Sequence, residues 1–153
     1  TILKGSEVET EYGHVLVFGV NAGLQQALDF TDIRLPLARV IEACETHGAV
    51  PVPCHPGRPR VGMHAHLAEF GVPAGVRIVE VYNGGSRDRE DEIAQAMARE
   101  QGYLGIGGSD AHIVSHIGRC ATRFPAAIGS EAELVEALRA GDFEAITNRE
   151  QAA

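Results

Sequence analysis

The sequence has 153 residues, 44% hydrophobic and 22% charged, which suits one domain with its own core and is too short for two ordinary ones. Its formal net charge of −8 disfavours broad non-specific binding to nucleic acid, which needs Lys and Arg against phosphates, but a bound cation can still reverse the local field for a phosphate substrate. No apolar run reaches the ~20 residues of a spanning helix, no basic-then-apolar leader opens the chain, and Cys44, Cys54 and Cys120 form no CxxC pair, so a reduced, cytoplasmic protein without a membrane is expected.

Short apolar runs alternate with helical patterns, which predicts an α/β architecture with parallel strands. Strands are expected over 2–8, 14–20, 49–54, 77–82, 103–107 and 121–124, with a short last one over 143–147. A helix is predicted over 35–46, where Leu37, Val40, Ile41 and Cys44 fall at i, i+3, i+4 and i+7 and Gly48 ends it. A second runs over 91–101 to Gly102, and a third opens on Ser130 with Glu133 three residues on, ending at Gly141. A shorter helix is expected over 63–70.

Loop chemistry gathers directly after the apolar runs, in His55-Pro56-Gly57-Arg58, Asn83-Gly84-Gly85-Ser86 and Gly107-Gly108-Ser109-Asp110-Ala111-His112. Sites in parallel α/β folds are assembled at such strand ends. Glu7 and Glu9 close the first strand on one face, His14 opens the second, His55 ends the third, and Asp110 and His112 follow the fifth. A mixed imidazole and carboxylate set suits Zn, Mn or Fe. Asp110 and His112, two apart in an extended segment, share a side. Pro56 should hold His55 extended, with Cys54 facing the other way as a packed core thiol. Arg58 and Arg119, in Gly-containing loops, can grip a phosphate bidentately. His64 and His66 diverge on a helix and read as surface residues, and His47 suits a helix C-terminus. Glu80, inside a strand, either faces a polar interior or pairs with an Arg.

Several segments in order, Gly5-Ser6-Glu7-Val8-Glu9, Gly13-His14-Val15-Leu16-Val17, His55-Pro56-Gly57-Arg58, Val79-Glu80-Val81-Tyr82-Asn83, Gly107-Gly108-Ser109-Asp110-Ala111-His112 and Ile117-Gly118-Arg119, resemble the PHP (polymerase and histidinol phosphatase) family of metal-dependent phosphoesterases. The resemblance runs across nearly the whole chain. It implies a distorted (βα)7-type barrel, N-terminally incomplete, with residues 1–153 as one domain forming the C-terminal two-thirds of the family unit. It also implies a cluster of divalent ions (Mn, Zn or Fe) acting on a phosphorylated small molecule or nucleotide. Matched position by position, Glu7 resembles the family's bridging carboxylate, and His14, His55, Asp110 and His112 resemble further metal ligands. Arg58 or Arg119 would stabilise phosphate charge.

The family's early His-x-His pair, with an Asp and a His after it, has no counterpart before Glu7, so this chain alone is expected to hydrolyse phosphoesters poorly. A barrel missing its first units exposes strand edges, which favours a homo-oligomer. Two other readings fit the same residues: a non-catalytic metal-binding or interaction module, and an amidohydrolase-like metal hydrolase.

Overall fold

The first two strands form a tight hairpin, and that connection decides much of the architecture. The computed structural model describes residues 1–149. Strand β1 (Gly5–Thr10) turns through Glu11 and Tyr12 into β2 (Gly13–Phe18), with Thr10 opposite Gly13. The Thr10 hydroxyl closes the turn, donating to the Gly13 carbonyl at 2.7 Å and accepting from Tyr12 N–H at 3.1 Å. A two-residue link can join only antiparallel strands, since a parallel pair needs a crossover of about a dozen residues.

Helices α1 (Ala22–Ala27) and α2 (Leu37–His47) follow, then β3 (Val50–Pro53), which is also antiparallel to β2. The short α1 lacks a long apolar stripe but has a cap: Asn21 Oδ1 accepts from Leu24 N–H, and its amide donates to the His47 carbonyl. Glu11 in the hairpin turn accepts from Leu37 N–H at 2.8 Å, which ties the start of α2 to the first sheet. The segment expected as one helix over 63–70 is a 3-10 turn (Met63–His66) running into the four-residue α3 (Leu67–Phe70).

The parallel expectation is met once. Strands β4 (Ile78–Asn83) and β5 (Leu104–Gly108) pair in parallel across α4 (Glu90–Gln101). Strands β6 (Cys120–Arg123) and β7 (Glu144–Thr147) are antiparallel on either side of α5 (Glu131–Ala140). Ser130 caps α5 as the sequence indicates, accepting from Glu133 N–H, while the Glu133 carboxylate reaches Gly129 N–H.

The described strands therefore form three small sheets, β1-β2-β3, β4-β5 and β6-β7. This corrects the expectation of a (βα)7-type barrel: the sheets are mixed and do not close. The alternation of strands and helices was sound, but neither the α1–α2 connection nor α5 makes a parallel crossover. Among the described residues no helix is long and apolar enough to cross a membrane.

One sheet face explains where the site lies. Val15 and Val17 of β2 enter the larger core with Leu24, Leu37, Val40 and Val79. The alternate face carries Leu16 and Phe18 against Val50, Val52, Ile78 and Ile106 in a second core. At the other end of that same face stand His14, opposite Glu9 and diagonal to Glu7, then Cys54 and His55 beyond β3 and Glu80 within β4. The face is apolar at its base and polar at its rim.

Candidate metal and phosphate site

The polar rim is organised by a buried carboxylate. Glu80 is 3% exposed, and its Oε2 accepts from the His55 backbone N–H at 2.7 Å and from Asn83 Nδ2 at 2.9 Å. Burial is the main influence on Glu80 and raises its pKa, against the two hydrogen bonds that favour the charged form.

His55 has φ 34, in the left-handed region, which corrects the extended conformation expected before Pro56. The Glu80 hydrogen bond holds this conformation, together with a tight turn in which Arg58 N–H donates to the His55 carbonyl at 2.9 Å. The consequence is direct. Strand alternation ends at Cys54, and the two neighbouring side chains come together, with Cys54 Sγ 3.4 Å from His55 Nε2. His55 therefore turns to the side that Cys54 faces, which corrects the expectation that the two point opposite ways, while Cys54 itself is a buried thiol as expected.

Glu7 completes the group. Its Oε1 lies 2.7 Å from His14 Nδ1 and 3.9 Å from His55 Nε2, and His14 Nε2 lies 3.5 Å from Glu9 Oε1. His14 Nδ1 has no formed hydrogen bond despite this approach, and neither has the buried His55 Nδ1. The His55 imidazole, and after it the charge of His14, holds Glu7 below the usual carboxylate range against the opposing effect of its partial burial. Burial, followed by the charges of Glu7 and Glu80, pushes the Cys54 thiol well up. Ligand atoms of Glu7, Cys54 and His55 all lie within 4.8 Å of one another, a group that can hold a metal ion. An ionised carboxylate, a buried imidazole whose Nε2 faces Glu7 and Cys54, and a thiol form a chemically suitable donor set.

A second group adjoins the first through Asn83, which is 1% exposed. Arg58 Nη2 donates to Asn83 Oδ1 at 3.1 Å and to Asp110 Oδ2 at 3.0 Å, and its Nε stands 3.7 Å from Glu90 Oε2. Arg58, Arg60, Arg87, Asp110, His112 and His116 line an open cleft of about 580 Å³.

Asp110 and His112 line the same cleft, with His112 Nδ1 3.7 Å from Asp110 Oδ1, but not through the extended segment expected. Asp110 has φ 46, which Asp tolerates better than most residues, and the chain turns there. Its carboxylate goes inward to Arg58, while the His112 ring is 83% exposed and holds its own loop, Nδ1 to the Asp110 carbonyl at 2.9 Å. Arg119 does not line the cleft; its Cβ stands where a side chain on Gly84 would go. His64 is exposed, and His66 contacts the Arg60 carbonyl at 2.8 Å, so neither joins the metal-type group. Sequence reasoning missed the roles of Asn83, Glu90 and Cys54. Only Asn83 left a signal, as an amide placed at a strand end before two glycines.

Residues 89–143 match the family model described as PHP-associated, in agreement with the resemblance carried by the motifs. The match takes in Asp110, His112 and Arg119, while Glu7, His14, His55 and Arg58 precede it. No match was found among curated proteins. Among solved structures the chain is similar to PsfC from Pseudomonas syringae PB-5123, with a TM-score of 0.73 and 20% identity over 99% of this chain. The chain spans 61% of the length of PsfC. The likeness concerns the fold and, like the three separate sheets, gives no indication of a closed (βα)7 barrel.

Proposed function

We propose that this PHP-related chain forms part of a metal-dependent phosphoesterase centre acting on a phosphorylated small molecule or nucleotide. The observation that carries the reading is the junction of two groups on one rim. A Glu7–Cys54–His55 donor set adjoins an arginine cleft through the buried pair Glu80 and Asn83. Glu7, His55 and Cys54 would hold a divalent ion of the Zn, Mn or Fe kind, with His14 beside Glu7 and Asp110 and His112 on the cleft side. Such an ion supplies Lewis acidity toward a phosphoryl oxygen and toward water.

The chain's own residues do the rest. Asn83 and Asp110 hold the Arg58 guanidinium in place, so its charge is set before a phosphate arrives. Arg60 and Arg87 add positive charge along the same cleft, and Arg119 stands further back. Glu90 and Asp110 keep the cleft from binding anions without a cation present, which makes phosphate binding metal-dependent.

The test is binding of inorganic phosphate, measured calorimetrically with and without Mn²⁺ or Zn²⁺, beside hydrolysis of p-nitrophenyl phosphate. Phosphate binding should require the metal and weaken in Arg58→Ala. Turnover should be low, metal-dependent, and lost in His55→Ala and Asp110→Ala. Metal-independent turnover, or a chain that binds metal and phosphate with no turnover at all, contradicts the reading. The second result favours a non-catalytic metal-binding module.

A further inference from the structure

Cys54 follows Val52 on the strand face that carries the site, and an extended His55 would turn its ring to the opposite face; the positive φ of His55 brings both side chains into one site. Backbone conformations of this kind are strained and gather at ligand clamps and catalytic sites. A sulphur and an imidazole nitrogen bound to one zinc ion, at about 2.3 and 2.0–2.1 Å and a tetrahedral angle, stand about 3.5 Å apart. Cys54 Sγ and His55 Nε2 are 3.4 Å apart. His14 does not fit the same ion through the same carboxylate oxygen: its Nδ1 is 2.7 Å from Glu7 Oε1, closer than the roughly 3.3 Å between two tetrahedral ligands. His14 therefore stands beside Glu7 and Glu9, outside this donor set.

We propose that Cys54 supplies a sulphur ligand beside His55 and Glu7, so that the site takes zinc or ferrous iron in preference to manganese or magnesium. The proposal rests on the metal-site reading above and narrows it. Soft thiolate donors select Zn and Fe, whereas Mn and Mg are suited by oxygen donors. Binding exchanges the thiol proton for the metal, the proton leaving to solvent as the metal–sulphur bond forms. Cys44 and Cys120 are buried elsewhere and take no part.

The test loads the chain with Co²⁺ and reads the thiolate-to-cobalt charge-transfer absorption in the near ultraviolet. The band should appear on loading, persist in Cys44→Ala and Cys120→Ala, and vanish in Cys54→Ser. Loss of an outer partner alone costs about 10–100-fold in metal affinity, so Cys54→Ser should lower Zn²⁺ affinity at least about tenfold while leaving Mn²⁺ affinity nearly unchanged. X-ray absorption of the zinc-loaded wild-type chain needs no variant and should show a sulphur shell at about 2.3 Å. Cobalt bound with no charge-transfer band, or zinc with oxygen and nitrogen neighbours only, overturns the sulphur ligand and leaves an ion held by Glu7 and His55 without Cys54. A chain that binds neither ion overturns both.

Discussion

The backbone N–H of His55 donates to Glu80 Oε2 at 2.7 Å, and through that bond a buried carboxylate in one sheet fixes a strained residue at the end of another. The same oxygen accepts from Asn83 Nδ2, which in turn positions Arg58. Both halves of the rim thus depend on one acceptor.

Glu80→Ala should therefore destabilise the fold by roughly 2–5 kcal/mol, since two buried donors lose their partner. Amide exchange at His55 should rise with it. Glu80→Gln keeps an acceptor and should cost much less. Urea denaturation of the two variants checks this, and an Ala variant within about 0.5 kcal/mol of wild type would show that other contacts hold His55.

Gly57 lies where the site loop touches the first turn of α4. A Cβ there would stand 2.0 Å from the Glu90 carbonyl oxygen, a backbone atom that cannot swing aside. Gly57→Ala should cost about 1–3 kcal/mol by forcing that loop off the helix. It should also weaken the hold of Arg58 on Asp110, visible as weaker metal-dependent phosphate binding. Unchanged stability and phosphate binding would mean the loop has room that the structure does not show.

How much of this was legible in the sequence follows from which interactions are local. The helices at 37–47, 90–101 and 131–140 announce themselves by apolar spacing and terminal glycines, and the strands by short apolar runs. Sheet direction was not legible, because a strand–helix alternation looks the same whether the chain crosses over or doubles back. The two-residue link at Glu11 and Tyr12, which only an antiparallel pair can use, was not read for what it implies. In the site, the motif residues Glu7, His14 and His55 are brought together, Glu7 from within β1, His14 near the start of β2 and His55 just past β3. The extended backbone expected at His55 and between Asp110 and His112 was wrong for one reason: both judgements used strand alternation, and alternation fails where His55 and Asp110 take positive φ. That conformation is set by Glu80 and Arg58, far away in sequence.

Cys44 gives a pH dependence away from the site. Burial, opposed by the charge of Arg139, pushes its thiol from 9.0 up to about 12. Above pH 9 the unfolded chain sheds this proton while the native chain keeps it, so stability is fully present below 9.0 and declines toward about 12. Denaturation midpoints should fall across that window, and Cys44→Ala should flatten the fall. An identical slope in wild type and variant would place the loss of stability in other groups.

The central claim is that Glu7, Cys54 and His55 hold a divalent ion, and equilibrium dialysis of Zn²⁺ against the chain tests it most directly. The account predicts saturable binding of about one ion per chain, weakened at least about tenfold in His55→Ala and in Glu7→Ala. Absence of saturable binding, or binding that both variants leave unchanged, would contradict it.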